Sequence, residues 1–370
     1  MVNPYDPQNP AKPEYFGGRK NILDSVRERI AKARLQKQSG GILVYGYRGV
    51  GKTSLLKKIV DLSKETEGNM APLVIYRRLS KTTSESELYG IIIETIVEEI
   101  DQRKNVIQKI LPTKVSSAKI LEVAFKFDDN WKQKTPFFRW NSFAQNAKNI
   151  GFILVAIDDA DYLTPEALGE LKTIVESQSK NPILLVVSGG IEFEERLVTD
   201  YSPIARIFSG ASFNLGEFEL NETKEVLAKP IEGTGTRWNE EAAREVQALS
   251  RGYPYLVQCL ASASYVENGE ITSDRVLESR STAIEIGKGW LSHELERASD
   301  NDIISFLKIT KIGKPVLKSS EIQNAGVSPP YIGRLVTLGV IKLISRGRYA
   351  VHKPPIIAYY HALKRNIPIE

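Results

Sequence analysis

Apolar residues in the segment 14–215 follow two alternating patterns. Short continuous apolar runs read GILVY, PLVIY, FILVAI and PILLVV, and each has the length of a strand. Between them, apolar residues recur every three or four positions, as in KTSLLKKIVDLSKE and SESELYGIIIETIVEEI, which predicts helices. Buried strands that alternate with helices are typical of a parallel sheet covered on both faces. The segment therefore predicts an α/β fold, with residues 104–149 irregular except for a short helix at NSFAQNAKN.

The pattern changes after Leu215. Helical segments joined at Gly and Pro predict a small helical domain and then a longer connector helix. Near the end, SSEIQNAG and SPPYIGRLVTLG predict two short helices, and VIKLISRGRYAVHK predicts two strands around RGR, which together indicate a winged helix-turn-helix. The predicted organisation is a flexible arm over 1–13, the α/β core over 14–215, the helical domain over 216–280, the connector over 281–300 and the winged helix over 301–370.

Composition narrows the class of protein. The chain has 370 residues, which is enough for two or three domains. One cysteine, Cys259, excludes a disulfide framework, and three scattered histidines indicate no metal cluster. The longest apolar runs are too short to cross a membrane, and the start of the sequence lacks the order of a signal peptide. We therefore expect a cytoplasmic protein with no membrane partner.

Charge is unevenly distributed along the chain. The net charge is +5, but residues 301–370 contain eleven basic and three acidic residues, a net charge of +8, so the remainder carries −3. A basic domain on a mildly acidic body attracts polyanions such as nucleic acid. A solvated lysine-rich surface would give the same composition.

The segment GYRGVGKTS lies directly between a predicted strand and a predicted helix. Its pattern G-x-x-x-x-G-K-[ST] is that of a phosphate-binding loop, in which glycines let backbone N–H groups converge on a phosphate. Lys52 would reach the β- and γ-phosphates, and the Thr53 hydroxyl would hold Mg²⁺. A flexible turn is the alternative, and the strand-loop-helix context favours ATP or ADP binding. The predicted nucleotide-binding residues of this loop are Gly46, Tyr47, Arg48, Gly49, Val50, Gly51, Lys52, Thr53 and Ser54.

Acidic and polar residues follow two later strands. Asp158 and Asp159 end the strand FILVAID, where open parallel sheets bind ligands, so Asp158 is predicted to hold Mg²⁺ and Asp159 to act on the attacking water. The two acids would alternatively cap the next helix. Ser188 ends ILLVVSGG, either to touch the γ-phosphate or water or simply as a turn serine. Arg196 and Arg206 are candidates for a finger on a neighbouring subunit's nucleotide, although exposed surface arginines are more common.

These motifs together resemble the AAA+ and STAND branches of the P-loop ATPases. EYFGGRKNIL resembles the N-terminal box of that family, which implies that Phe16, Gly17 and Arg19 lie beside the adenine. Ser188 stands at the sensor 1 position, and the segment 217–280 resembles the lid, where RGYPYLVQ implies a nucleotide contact by Pro254. With a terminal winged helix, the domain order is similar to that of archaeal origin-recognition ATPases.

This sequence departs from the family pattern at two places, the acidic pair and the lid. The family generally has Asp-Glu where this sequence has Asp158 and Asp159, and the shorter aspartate predicts slow hydrolysis. The lid carries a Gly-x-Pro arrangement rather than the Gly-x-x-Arg of a sensor 2. Both departures favour a nucleotide-dependent switch over a motor, which remains a third hypothesis.

The winged helix has two possible partners. In DNA-binding versions the second helix enters the major groove of double-stranded DNA and the wing touches its backbone. The first hypothesis is thus a slow ATPase switch on DNA, in replication initiation or a mobile-element process. It includes a transposition-type ATPase that recruits a partner enzyme, for which the PFFRW rings either dock the partner or, as is more common, belong to the core. The alternative is a STAND-type signalling ATPase whose winged helix binds protein, and a homo-oligomer fits both. The predicted DNA-binding residues are Tyr331, Arg334, Lys342, Arg346 and Arg348.

Overall fold

The computed structural model describes residues 3–65, 72–110, 135–146, 151–176, 181–199 and 202–369. The chain forms two units, one comprising Arg19–Leu215 and the other comprising the residues up to Gly18 together with Gly216–Glu370. We call them the sheet unit and the helical unit. Among the described residues, no helix combines the length and apolar character needed to cross a bilayer.

The sheet unit alternates strands and helices. Its strands are β1 (Gly40–Tyr45), β2 (Leu73–Arg78), β3 (Ile153–Asp158), β4 (Ile183–Gly189) and β5 (Ser212–Asn214). Its helices are α1 (Lys20–Leu35), α2 (Lys52–Lys64), α3 (Glu85–Ile110), α4 (Pro136–Asn146), α5 (Pro165–Glu176), α6 (Ile191–Thr199) and α7 (Ser202–Ala205), with 3-10 helices at Ala160–Tyr162 and Arg206–Phe208.

The five strands form one parallel sheet in the order β2-β3-β4-β1-β5. Every residue of β3 and β4 is buried, which explains their continuous apolar sequences. Alternate strand residues, such as Val155 and Leu185, join a core with α3, α4, α5 and α6. On the opposite face, α1 and α2 pack across β1, β3 and β4. The predicted parallel sheet with helices on both faces is confirmed.

Two sequence predictions in this unit were wrong. Helix α3 continues to Ile110, so residues 104–110 are helical rather than irregular. The PFFRW segment begins α4, which ends at Asn146, and the rest of the predicted helix lies outside the described residues. Trp140 is fully buried whereas Phe138 is 61% exposed, because only one face of α4 meets the core.

The helical unit contains many short elements. Its helices are α8 (Leu220–Ala228), α9 (Glu240–Ser250), α10 (Pro254–Ser264), α11 (Ser273–Glu278), α12 (Arg280–Leu291), α13 (Asp300–Lys311), α14 (Ser319–Asn324), α15 (Pro329–Thr337) and α16 (Ile356–Lys364), with 3-10 helices at Pro13–Tyr15 and Lys229–Ile231. Its strands are β6 (Arg237–Trp238), β7 (Glu270–Ile271), β8 (Val316–Lys318), β9 (Ile341–Ser345) and β10 (Arg348–Val351).

The C-terminal part of this unit combines helices with a small sheet. β8, β10 and β9 form an antiparallel sheet in that order, and α14 and α15 are joined through Gly326 in a left-handed conformation, with φ +80°. Ser328 occupies the N-cap position of α15 but makes no side-chain capping bond. The predicted connector helix ends at Leu291, and turns fill residues 292–297 before α13.

The N-terminal segment is packed, not loose as predicted. Tyr5 is 3% exposed; its hydroxyl donates to the Leu227 carbonyl and accepts a hydrogen bond of 2.7 Å from Trp238 Nε1. Its ring also meets Trp238 and Tyr265 edge to face. A single buried aromatic with satisfied polar contacts therefore holds a Pro-rich segment that composition alone marks as an arm.

Candidate functional site

The loop between β1 and α2 requires glycine at several positions. Gly46, Gly49 and Gly51 have φ of +146°, +88° and +93°, a region that side chains disfavour. A Cβ on Gly46 would lie 2.6 Å from the Leu215 carbonyl oxygen. The chain thus curls tightly at the end of β1 and enters α2 at Lys52, so that the helix N-terminus faces the loop. This is the geometry of an anion-binding loop.

Lys52 lies against this loop. Its Nζ donates to the carbonyls of Gly46 at 2.8 Å and Tyr47 at 3.0 Å. Burial lowers the pKa of Lys52, and the negative charges of Asp159, Asp161 and Asp158 oppose that effect. The loop therefore holds a half-buried ammonium group close to three carboxylates.

Asp158 and Ser188 connect the ends of neighbouring strands. Asp158 is fully buried at the end of β3, and its Oδ1 accepts a hydrogen bond from the Ser188 hydroxyl at the end of β4. The same hydroxyl accepts from the backbone N–H of Asp159 at 3.1 Å. Ser188 is thus part of the acidic cluster rather than a turn serine.

Asp159 adopts a left-handed conformation, with φ +56°. It precedes the 3-10 helix Ala160–Tyr162, but its side chain makes no capping hydrogen bond there, so capping is not what this carboxylate does. Instead it accepts a hydrogen bond of 2.7 Å from Arg78 Nε.

Arg78 and Tyr76 were missed by the sequence analysis. Both lie on β2, which pairs with β3 so that Arg78 faces Asp158. The Tyr76 hydroxyl lies 3.5 Å from Asp158 Oδ2, and burial together with that negative charge raises the pKa of Tyr76 to about 12. The sequence PLVIYRRL predicted a strand, but it did not predict that this strand pairs with β3. No neighbouring residue in the sequence therefore indicated the contacts of Tyr76 and Arg78 with the acidic residues.

Asp161 adds a third link at this edge. Both of its carboxylate oxygens accept from the backbone N–H of Gly190, each at 3.0 Å. The turn after β3 is thereby tied to the turn after β4. The acidic sequence IDDAD thus places three carboxylates at the carboxyl edge of the sheet.

The oxygen atoms at this edge suit Mg²⁺ that is coordinated partly by phosphate and water, rather than a metal ion coordinated only by protein side chains. Within the described ranges, no group of three or more His, Cys, Asp and Glu side chains is arranged to hold a metal. Asp158 offers a buried carboxylate and Thr53, in the first turn of α2, offers a hydroxyl. Hard oxygen donors of this kind suit Mg²⁺ when phosphate and water complete the coordination.

The other predicted nucleotide contacts are divided between the two units. Arg19 precedes α1 in a left-handed conformation, with φ +59°. Phe16, Gly17 and Pro254 belong to the helical unit: the Phe16 carbonyl accepts from Lys229 at 2.6 Å, Gly17 packs on the backbone of α8, and Pro254 opens α10.

The arginine candidates differ. Arg196 lies 3.4 Å from the Leu163 carbonyl, which its guanidinium contacts within the unit. Arg206 is exposed in the 3-10 helix before β5.

The predicted DNA-binding residues do not form one group. Lys342, Arg346 and Arg348 are exposed on β9, on the β9–β10 turn and on β10. Tyr331 is half-buried at the start of α15. Arg334 is different, because Asp302 binds its guanidinium at two points.

The Arg334–Asp302 pair joins α15 to α13. Arg334 Nε and Nη2 donate to the two carboxylate oxygens of Asp302 at 2.7 and 2.6 Å. Asp302 also accepts from the backbone N–H and hydroxyl of Ser299. Hydrogen bonding to Arg334 lowers the pKa of Asp302 to about 2. Arg334 therefore has a structural partner that the sequence analysis did not foresee.

A glycine loop that follows β1 and enters α2, with an acid ending β3 of the same parallel sheet, fits the P-loop nucleoside triphosphatase fold. Residues 34–197 match the family model of an AAA domain. The matched residues all lie within the sheet unit.

Three solved structures illustrate the fold that this chain resembles. The ORC2 protein of Aeropyrum pernix is 14% identical, with a TM-score of 0.57 over 99% of this chain and 98% of that one. A Walker-type ATPase of Pyrococcus abyssi is 16% identical, with a TM-score of 0.52 over 96% and 99%. The ORC1 protein of Aeropyrum pernix, in complex with DNA, is 14% identical, with a TM-score of 0.50 over 98% and 97%. These likenesses are of fold, and no curated protein matches the chain.

Proposed function

We propose that this protein is an ATP-binding, slowly hydrolysing AAA-type switch that binds double-stranded DNA through its C-terminal region. The observation that carries the nucleotide part is the glycine loop before α2, which lies in a sheet unit with Asp158, Asp159 and Ser188 at the strand ends. The ORC2 structure that the chain resembles is described as ADPNP and ADP complexes.

Phosphate binding would use groups already in position. The loop N–H groups and the α2 N-terminus would surround the β-phosphate, and the Lys52 ammonium would exchange its bonds to two loop carbonyls for phosphate oxygens. Thr53 and Asp158 would hold Mg²⁺, which supplies positive charge to the phosphates. Nucleotide contacts by Phe16, Gly17, Arg19 and Pro254 remain predictions that rest on the family resemblance alone.

Hydrolysis would depend on Asp159, and two features make it slow. Its side chain is one methylene shorter than glutamate, and Arg78 already holds its carboxylate at 2.7 Å. The hydrogen bond from Arg78 occupies Oδ2 of Asp159 and so competes with the attacking water for that oxygen. Ser188 would fix the relative positions of the two acids. Arg206 is exposed, as a finger acting on a neighbouring copy in a homo-oligomer would be.

DNA binding would use the β9–β10 hairpin. Two short helices followed by an antiparallel hairpin with a basic turn support a winged helix-turn-helix, with the arginines at the wing tip on phosphates. Arg346, Arg348 and Lys342 form no ion pair with any described residue. Arg334 is reassigned to positioning α15. The proposed setting, replication initiation or a mobile-element process, follows the likeness to the ORC proteins.

A signalling ATPase whose winged helix binds protein is the second candidate. It is favoured by Leu343 and Ile344, two large apolar side chains on β9 that are 59% and 57% exposed. Phosphate backbone offers such side chains no apolar partner.

The nucleotide proposal is tested by titrating ATP into the wild type and Lys52→Ala in the presence of Mg²⁺. We expect binding to weaken at least tenfold in the variant. Equal affinity of the two proteins would refute the phosphate-loop assignment.

The DNA proposal is tested by fluorescence anisotropy of a labelled random duplex at several salt concentrations, with and without ATP. We expect affinity to fall steeply with salt and to drop in Arg346→Glu/Arg348→Glu. The control Arg237→Glu/Arg244→Glu makes the same charge change at exposed positions on β6 and α9. Full affinity in the wing variant, or equal loss in the control, would refute the wing assignment. Equal DNA affinity with and without ATP would refute the proposal that nucleotide controls DNA binding.

A further inference from the structure

The outer edge of the C-terminal sheet exposes apolar side chains to water. Leu343 and Ile344 are neighbours on β9, and more than half of each is exposed. Within the described residues, β9 pairs only with β10, because the strand order β8-β10-β9 puts it at an edge. Open edges with apolar side chains attract other strands, and proteins usually avoid them.

The main chain of Leu343 points outward from this edge. The N–H of His352 donates to the Val340 carbonyl at 2.8 Å, which makes that facing pair a hydrogen-bonded one. Bonded and non-bonded pairs alternate along an antiparallel ladder. Leu343, three residues further and facing Tyr349, therefore belongs to a non-bonded pair. Its N–H and C=O are directed away from β10 and toward an incoming strand.

Ile344 lies in a β-bulge of the β9–β10 hairpin. Ser345 faces Arg348 while Leu343 faces Tyr349, so Ile344 is an extra residue with no facing partner on β10. Bulges redirect a side chain and change the local twist. The Ile344 side chain is therefore left without a cross-strand neighbour to cover it.

The charges around this edge indicate the chemistry of its occupant. Lys342, Arg346 and Arg348 are exposed beside Leu343 and Ile344. A second copy paired edge to edge would bring the same positive charges together. An extended segment with acidic residues would instead neutralise them while its apolar residues covered the two exposed side chains.

We propose that the β9 edge binds an extended segment of another protein that alternates acidic and apolar residues. The segment would add to the sheet beside Leu343, in the manner of strand addition. The site shares no residue with the nucleotide-binding loop, and it goes beyond a DNA contact because duplex DNA uses neither the Leu343 main chain nor its side chain.

The probe is a fluorescein-labelled eight-residue peptide of alternating valine and glutamate, compared with one of alternating valine and lysine. We expect the acidic peptide to bind the full-length protein at least tenfold more tightly in anisotropy titrations. Leu343→Pro removes the outward N–H and also reduces the apolar side chain, and we expect it to weaken binding about tenfold. Leu343→Thr/Ile344→Thr removes the apolar surface while keeping strand propensity. Leu277→Thr, at an α11 residue 41% exposed, is the control and should change nothing.

Three kinds of result would overturn the proposal. One is a negative peptide titration, with either equal affinity for the two peptides or full affinity in both the proline and the threonine variants. Another is sedimentation of the wild type as a dimer that the threonine variant abolishes, since the occupant would then be a second copy. The third is loss of duplex DNA affinity in the threonine variant, which would make this surface part of the DNA interface.

Discussion

Replacing Asp302 by asparagine tests whether Arg334 is a structural residue. Asp302 lies in the first turn of α13, its side chain is fully buried, and it binds Arg334 at two points. Its pKa falls from 3.8 to about 2. At about 1.4 kcal/mol per pKa unit, this shift corresponds to about 2.4 kcal/mol of unfolding free energy. Because Arg334 is half in water, screening reduces the expected loss in Asp302→Asn to about 1 kcal/mol.

The pH dependence has a defined sign. A carboxyl group with a lowered pKa in the folded state stabilises the fold above its unfolded pKa of 3.8, and this contribution disappears as pH falls toward about 2. The difference between wild type and Asp302→Asn should therefore be full at pH 7 and small at pH 2.5. Hydrogen exchange of peptides covering α13 and α15 resolves this local change in a chain with more than one unit.

Asp300→Asn provides the matched control on the same helix. Asp300 pairs with Arg365 at 3.0 Å, but its side chain is 69% exposed. We expect its replacement to change exchange in α15 very little. Unaltered exchange in Asp302→Asn at pH 7, or the same increase at pH 7 and pH 2.5, would refute the structural role assigned to Arg334.

Three further changes test other parts of the structure. Gly46→Ala should abolish ATP binding in calorimetric titrations, because its Cβ would lie 2.6 Å from a carbonyl oxygen, whereas Gly90→Ala in α3 has open space and should bind normally. Arg78→Ala should raise the steady-state ATPase rate up to about fivefold, since an exposed pair contributes up to about 1 kcal/mol, and an unchanged or lower rate would argue against restraint of Asp159. Tyr5→Phe should destabilise the helical unit by about 1–3 kcal/mol in thermal unfolding, because it leaves the Trp238 N–H without its buried acceptor, and an unchanged melting temperature would contradict that.

The sequence predicted what depends on neighbours along the chain. The loop from Gly46 to Thr53 is recognisable because its glycines, lysine and hydroxyl act within one turn, between a strand and a helix. The parallel sheet was predictable because burial on both faces leaves continuous apolar strands. Asp158 was placed correctly at a strand end for the same reason.

Contacts between distant residues were not predictable. Arg78 meets Asp159 only because β2 lies beside β3, and strand order leaves no mark on either sequence. Tyr5 was assigned to a loose arm because its segment is rich in proline, yet one buried ring holds it to the helical unit. In both cases a partner many positions away decides the role of the residue.

In the basic C-terminal region, the sequence likewise cannot tell which charged side chains are already paired within the fold. A count of eleven basic residues describes attraction to polyanions but cannot say which charges are available. Arg334 and Lys353 bind Asp302 and Glu294, and the Lys308 ammonium binds a backbone carbonyl.

Lys342, Arg346 and Arg348 have no such ion pair within the described residues, and all three lie on one hairpin. The structure therefore concentrates a diffuse basic composition into the β9–β10 hairpin, beside two exposed apolar side chains. A polyanion alone would use only the charges, whereas an acidic and apolar protein segment would use both. The comparison of duplex and peptide binding in the Leu343→Thr/Ile344→Thr variant therefore separates the two proposed partners.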